Sequence, residues 1–316
     1  MILSIVISTW NSMEYLPRCI ESIRAMKIPE IEIIVIDGAS TDGTLEYSGC
    51  QNDIRLLISR RRIAWSEANQ LGLNRARGEW ICLSNPDIFF NDSFLELFKR
   101  VQGSSVLVAT PQLIYPDGRL QRPAKTFTPW LSLCAHTRLV PLLLRLAGKT
   151  VPGYLFPYQP ENGETRVDNP QGSLFIFHRS VLNRLGGHLW HNGYLNGVSD
   201  FDAFLNLKEQ GIPIILFPQY QVVHYGSYIS KKYPSWIEHD QTYGFVLYFR
   251  YHPDLSTRIS PLLYSILFGL EAIVTVGLDI AGRIVSRNPF FKPRHSAWKA
   301  GQRLIGLLEG WRYHIG

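Results

Sequence analysis

Cysteine is scarce in this sequence: four among 316 residues, at Cys19, Cys50, Cys82 and Cys134, with neither metal-ligand nor redox spacing. That excludes a disulfide-stapled scaffold and a zinc ribbon, and it fits a reducing compartment. Charge is sparse too, at 18% against 46% hydrophobic residues, which excludes disorder and leaves enough apolar material for a sizeable core. Long apolar runs are missing. Between residues 259 and 287 the longest charge-free stretch is the 12 residues from Ile259 to Leu270, short of the roughly 18 that a spanning helix needs. Met1 is followed directly by Ile-Leu-Ser-Ile-Val-Ile, without the basic start and small-residue cleavage site of a secretory leader. A phosphate-binding P-loop, a Gly-x-Gly-x-x-Gly turn and a His-Glu-x-x-His pair are all absent. Kinase, dehydrogenase and metalloprotease readings therefore lack their usual support.

What charge there is lies unevenly. Residues 250–316 hold nine Lys or Arg against four Asp or Glu, so +5 of the net +6 falls in that tail. Within it Glu271, Thr275, Asp279, Arg283 and Arg287 recur every four residues. Ile266, Leu270, Ile273, Val274 and Leu278 lie opposite. The pattern predicts a basic amphipathic helix that lies on an anionic membrane surface or packs on the rest of the protein. Nucleic acid is the weaker choice of partner for it, and a plain solvated basic face is the bland one.

The first hundred or so residues alternate in kind. Ile2–Ser8, Ile31–Ile36, Glu79–Leu83 and Val106–Ala109 read as buried strands. Tyr15–Met26, Glu67–Ala76 and Ser93–Val101 read as helices, the last capped by Ser93 or Asp92. The alternation predicts a doubly wound, mostly parallel α/β sheet, whose sites lie at the carboxyl ends of the strands. Residues 120–170, punctuated by proline, predict an irregular insertion that serves as a lid or acceptor surface. After it come a strand (Ser173–Phe177), a Gly186-Gly187 turn, a helix (Asp200–Gln210) and a strand (Pro213–Phe217).

Four polar blocks fall at predicted strand or helix ends. Ser8-Thr9-Trp10-Asn11 and Asp37-Gly-Ala-Ser-Thr-Asp-Gly-Thr44 would sit side by side. A carboxylate there accepts the ring N–H of uracil or thymine, although Asp-Gly turns are common without a ligand. Asn85-Pro86-Asp87 puts a carboxylate on a rigid strand end, a place for a hard divalent cation, or else an ordinary turn. Ser199-Asp200-Phe201-Asp202 opens a helix, as simple capping or with Asp200 as general base. His224, followed by Ser230-Lys-Lys-Tyr233, offers a third metal ligand or a donor to a diphosphate.

Taken in order, these blocks resemble the family 2 glycosyltransferases of the GT-A fold over about residues 2–230. Ile5-Val-Ile-Ser-Thr-Trp-Asn11 is similar to that family's first strand, and Val35-Ile-Asp-Gly-Ala-Ser-Thr-Asp-Gly-Thr44 to its base-reading motif. Ala68-Asn-Gln-Leu-Gly-Leu-Asn-Arg-Ala-Arg-Gly-Glu-Trp80 resembles its Asn-x-Gly helix. Leu83-Ser-Asn-Pro-Asp87 resembles its metal motif, and Gln171-Gly-Ser-Leu-Phe-Ile-Phe-His-Arg179 with Leu185-Gly-Gly187 the run before its catalytic acid. Ser199 stands where the family usually has Glu.

The resemblance implies an inverting enzyme that moves a sugar from a UDP- or dTDP-sugar to a glycan hydroxyl with Mn²⁺ or Mg²⁺. Thr9, Asn11, Asp37, Arg62, Asn69 and Asn85 would bind the donor, Asp87 and His224 the metal, and Asp200 would act as base. It implies a catalytic domain over 1–235, with a nucleotide half (1–110) and an acceptor half (111–235), and a helical membrane-associating extension over 236–316. Within the family the nearest resemblance is to bacterial-type rhamnosyltransferases. These act on lipid-linked glycans at the cytoplasmic face of the membrane. A fold that has lost transfer and serves as a scaffold is the alternative that Ser199 motivates. A nucleotidyltransferase is a third, weakened by the lack of a Gly-rich phosphate loop after the first strand.

Overall fold

The computed structural model describes residues 2–121, 124–125, 146–148, 163–226, 234–252, 262, 265–267, 269–271, 273–274 and 294–315. The chain divides into two compact units. The first, Met1–Lys125, Pro157–His191 and Asp200–Tyr228, is built on a sheet. The second, Thr126–Phe156, Asn192–Ser199 and Ile229–Gly316, is mostly helical where it is described, with turns over 192–198.

The sheet unit contains strands β1 (Leu3–Thr9), β2 (Ile31–Asp37), β3 (Ile54–Ile58), β4 (Trp80–Ser84), β5 (Ile88–Phe89), β6 (Val108–Ile114), β7 (Ala124–Lys125), β8 (Thr165–Val167), β9 (Asn169–Pro170), β10 (Leu174–His178) and β11 (Ile214–His224). The main path runs β3-β2-β1-β4-β10-β6-β11-β5, with β8 also on β11, while β7 and β9 form a separate pair. β3, β2, β1 and β4 are parallel, as are β6 and β11. β10 is antiparallel to both its neighbours, β4 and β6. The sheet is thus mostly parallel, as the apolar runs predict.

Helices α1 (Leu16–Ala25) and α4 (Asp92–Gln102) cover one face. There Leu16, Cys19, Ile20, Ile23, Phe94, Leu97, Phe98 and Val101 join Leu3, Ile5, Ile7, Ile33 and Val35 in a single core. That every second strand residue enters this core is the period of a β-strand. Short α2 (Thr44–Gly49) follows β2. Helix α3 (Trp65–Leu73) lies on the other face, where Gly72 meets the side chains of Val6 and Ile36. Short α5 (Arg179–Arg184) follows β10, and α6 (Ser199–Glu209) packs Phe204 edge-on to Phe175 of β10 at 5.1 Å.

Three features depart from the sequence reading. The cap of α4 is Asn91, whose side chain accepts from the Phe94 N–H; neither Ser93 nor Asp92 fills that place. β3, unmarked by motif, forms from Ile-Arg-Leu-Leu-Ile and extends the parallel edge. The last strand does not end near Phe217. β11 continues through a register shift between Phe217 and Gln221 as far as His224. Pro218 in that interval cannot donate to the ladder, and the strand resumes one irregularity later.

In the helical unit, α7 (Pro234–Tyr251) packs on α8 (Arg294–Ile315). Their close approach depends on Gly306, where a Cβ would run into the backbone of His239. His239 Nδ1 lies 2.9 Å from Asp240 Oδ1 and its Nε2 lies 3.0 Å from Glu309 Oε2, so one ring ties the two helices. Most of the predicted insertion, including Cys134, lies outside the described residues. So do Ser230–Tyr233 and the part of the amphipathic segment that holds Thr275, Leu278, Asp279, Arg283 and Arg287.

Candidate active site

The ends of β1 and β2 hold the first cluster. Thr9 and Asp37 are partners in register and project to the same face. Asp37 Oδ1 accepts the Ser40 N–H at 2.9 Å, which folds the turn back on the strand. Its other oxygen, Oδ2, and Thr9 Oγ1 are both buried without a hydrogen-bond partner. Buried polar atoms are nearly always paired, so two adjacent exceptions at strand ends mark a place prepared for ligand donors and acceptors.

Asn11 does a different job. Its Oδ1 accepts the Thr41 N–H at 2.7 Å, and its own N–H donates to Ser40 Oγ at 2.8 Å. With the Ser12 N–H on Thr44 Oγ1 and the Met13 N–H on Asp42 Oδ2, this sews the two loops together. The Arg62 guanidinium lies over the ring of Trp10, the residue after Thr9, at 4.7 Å.

Asn69 and Asn85 belong to the opposite face. Asn69 Nδ2 donates to Ser8 Oγ at 3.1 Å, and Ser8 points away from the Thr9 side. Trp65 Nε1 donates to Asn85 Oδ1 at 3.1 Å, and the Trp65 ring sits 5.4 Å from that of Trp190. Asn85 N–H also reaches the Ser173 carbonyl at 2.9 Å, which joins the end of β4 to the start of β10. Of the donor-binding candidates, Thr9 and Asp37 are neighbours at the ends of β1 and β2, while Arg62 packs on Trp10. Asn69 and Asn85 gather elsewhere.

Asp87 and His224, far apart in sequence, meet because β11 pairs with β5: His224 is in register with Ile88. His224 Nε2 lies 3.4 Å from Asp87 Oδ1. Asp87 Oδ2 accepts the Gly226 N–H at 3.0 Å, and the Asp87 carbonyl accepts the Tyr225 N–H. Both side chains are buried.

The two acids of α6 separate. Asp202 is fully buried and accepts from the His191 N–H at 2.6 Å and faces its Nδ1 at 3.1 Å. That carboxylate's hydrogen bond raises the His191 pKa above the ordinary histidine value, against an opposing effect of partial burial. Asp200 is only half-buried and leans on the backbone of Gly172: a Cβ there would stand 2.7 Å from Asp200 Cβ and 2.9 Å from its Oδ2. Capping thus does not account for both acids. Gly172 precedes Ser173, whose carbonyl binds Asn85, so Asp200 lies beside the segment that leads into Asp87. Sequence reasoning passed over Gly172 within a quoted motif. It had no signal for Trp190 or His191.

A mostly parallel sheet, acids at its carboxyl edge and one crossing antiparallel strand together define a GT-A-type fold. The mannosyltransferase PcManGT of Pyrobaculum calidifontis, solved in complex with GDP-Man and Mn2+, shares it: TM-score 0.53 at 14% identity, over 98% of this chain and 86% of that one. Residues 4–186 match the family described as Glycosyl transferase family 2, and the chain belongs to that family. It is 23% identical over 274 residues to the N-acetylglucosaminyl-diphospho-decaprenol L-rhamnosyltransferase of Mycobacterium tuberculosis, covering 78% of this chain and 84% of that protein. It is 29% identical over 106 residues to the glycosyltransferase GlyG of Streptococcus pneumoniae, over 32% of this chain. The matched region spans about a third (35%) of the length of GlyG.

Proposed function

We propose that this chain is an inverting glycosyltransferase that moves a sugar from a uridine or thymidine diphosphate donor to a hydroxyl of a lipid-linked glycan. The observation that carries the reading is the meeting of Asp87 and His224 at the ends of strands, supported by Asp200 packed on Gly172 and by the unpartnered oxygens of Thr9 and Asp37 at the ends of β1 and β2. Asp37 Oδ2 would accept the base's ring N–H, a feature uracil and thymine share. The Asp87 carboxylate and His224 Nε2 form a donor set that suits a divalent cation, and the imidazole nitrogen favours Mn²⁺ over Mg²⁺. Bound there, such an ion would offset the charge that develops on the leaving diphosphate.

Asp200 takes the proton of the acceptor hydroxyl as its oxygen attacks the anomeric carbon from the face opposite the diphosphate. The new C–O bond forms as the bond to the diphosphate oxygen breaks, and the configuration inverts. Asp200 must reach that hydroxyl at about 2.6–3.2 Å. Residues 1–110 supply the donor half and 111–235 the acceptor half. Resemblance to a protein named for a decaprenol-linked acceptor supports a lipid-linked glycan, and rhamnose leads the sugars to screen.

We also propose that the helical unit holds the protein on an anionic bilayer at the cytoplasmic face. Among the described residues no helix is long and apolar enough to cross a membrane. The amphipathic segment presents Leu262, Ile266, Leu270 and Ile273 outward, the last 66% exposed, while Glu271 is 2% exposed and pairs with Arg303 at 3.1 Å. On α8, Leu304, Ile305 and Leu308 are exposed as well. Apolar side chains facing outward beside a surplus of five positive charges suit an acidic lipid surface.

Calorimetric binding of UDP, dTDP, GDP and ADP, with and without Mn²⁺, to wild type and Asp87→Ala tests the donor site. Metal-dependent binding of UDP or dTDP, lost in the variant, is the expected result. A preference for purine nucleotides overturns the base pocket. Nucleotide binding without turnover across a broad set of donors and acceptors would establish a scaffold instead.

A further inference from the structure

His224 faces Asp87 through Nε2, and something must hold the ring that way round. Its Nδ1 lies 2.8 Å from Gln121 Oε1. The same Gln121 side chain donates from Nε2 to the backbone carbonyl of His224 at 2.6 Å. A carbonyl only accepts, so the amide nitrogen must face it and the amide oxygen must face the ring. That oxygen also only accepts, so His224 Nδ1 carries a hydrogen. In the neutral imidazole the lone pair is then on Nε2, aimed at Asp87 Oδ1 3.4 Å away. Two acceptors confront each other in a buried place, with the second Asp87 oxygen already occupied by the Gly226 N–H. With the ring neutral, the arrangement is unfavourable until a cation shares the two lone pairs.

The Gln121 backbone is itself held from two sides. Its carbonyl accepts from Gln112 Nε2 at 2.8 Å, and its N–H donates to the Leu113 carbonyl at 2.9 Å. The turn that returns the chain to this place closes through the Gly118 N–H on the Tyr115 carbonyl. Gln112 lies on β6, in register with Gln221 of β11 three residues before His224. The glutamine pair thus clamps the ring to the sheet that carries it.

We propose that Gln121 is the positioning residue of the cation site: it selects the Nδ1–H form of His224 and so presents Nε2 as a ligand beside Asp87. This rests on the reading of Asp87 and His224 as a metal pair given above. Removing a partner one step behind a metal ligand weakens binding about 10–100-fold. Gln121→Met keeps length and apolar contact but loses the acceptor. Gln121→Glu keeps an acceptor for Nδ1–H while losing the donor to the His224 carbonyl.

Two measurements test this on the full-length protein. The first is ¹⁵N–¹H correlation of the His224 ring without metal, at about pH 8.5, above the ordinary histidine range. Wild type and Gln121→Glu are expected in the Nδ1–H form, and Gln121→Met in a mixture. An Nε2–H ring or a doubly protonated ring in wild type overturns the proposal, as does an unchanged tautomer in Gln121→Met. The second is Mn²⁺ affinity by electron paramagnetic resonance. Gln121→Met is expected to bind about 10–100-fold more weakly than wild type, with Gln121→Glu close to wild type. Affinity lost in His224→Ala but kept in Gln121→Met overturns the role of Gln121 alone. Wild-type affinity that survives in both Asp87→Ala and His224→Ala overturns the metal pair, and this proposal with it.

Discussion

The sheet unit and the helical unit distribute polarity in opposite senses. In the sheet unit apolar residues point inward, and two of the buried polar atoms left without a hydrogen-bond partner, Thr9 Oγ1 and Asp37 Oδ2, lie at the ends of neighbouring strands. In the helical unit a glutamate is buried against an arginine while leucine and isoleucine face out. The first kind of incompleteness suits a small polar ligand, the second an apolar, charged surface. On the function proposed above, the difference would separate chemistry in the sheet unit from location in the helical unit.

The sharpest test of that separation is Asp200→Asn. General-base catalysis contributes about 10²–10⁴-fold, so transfer is expected to fall by that factor while UDP or dTDP affinity and vesicle binding stay as in wild type. Near-full transfer with an intact fold would remove Asp200 from the mechanism. The mirror experiment replaces Leu270 and Ile273 by Glu together. Burying such a side chain is worth about 1.5–3 kcal/mol, so the pair should lower partition onto phosphatidylglycerol vesicles about 100-fold or more. Transfer to a water-soluble acceptor should not change. Equal sedimentation of wild type and variant with those vesicles would defeat the membrane reading.

Two glycines refine the comparison at smaller scale. Gly172→Ala places a Cβ 2.7 Å from that of Asp200, which must move. A misplacement of that order costs up to about 10²-fold in rate. We expect kcat to fall by about tenfold or more with nucleotide affinity kept. Gly306→Ala wedges α8 off the His239 backbone. Overpacking of this kind costs about 1–3 kcal/mol, read as a lower thermal midpoint without loss of nucleotide binding. If Gly172→Ala lowered stability instead and spared kcat, Asp200 would not depend on that contact.

How far all this was legible in the sequence depends on how local each signal is. Most of the strands and helices from Leu3 to Val101 show in runs of apolar residues and their spacing, though α2, β3 and β5 do not, and Thr9, Asp37, Asp87 and Asp200 lie at element ends where such folds keep their sites. β11 was read short because a proline interrupts the apolar run, although the strand continues beyond it. The Asn91 cap was misplaced because Asn91, Asp92 and Ser93 are all competent caps, and only geometry chooses among them. The joint commitment of Gln112 and Gln121 to His224, more than a hundred positions further on, leaves no spacing pattern at all. The apolar stripe at Ile266, Leu270, Ile273 and Val274 was visible, but the direction it faces was not.

The smallest expected effect separates the units by pH. Each contains a histidine whose pKa a carboxylate holds above the ordinary value: His191 through the Asp202 hydrogen bond in the sheet unit, His239 through Asp240 and then Glu309 in the helical one. A group whose pKa is raised on folding stabilises the folded state fully below its unfolded pKa, about 6.5. That contribution is lost as pH rises through the folded value. Both rings are partly exposed, so solvent screening keeps each contribution under about 1 kcal/mol. Thermal midpoints measured from about pH 5.5 to 8.5 should therefore decline modestly toward the alkaline end. His191→Gln should remove the part of that decline that accompanies loss of the sheet unit's near-UV signal, and His239→Gln the part that accompanies loss of helix. A decline of the same size in wild type and both variants would mean that neither ion pair contributes to stability, and that pH does not distinguish the units.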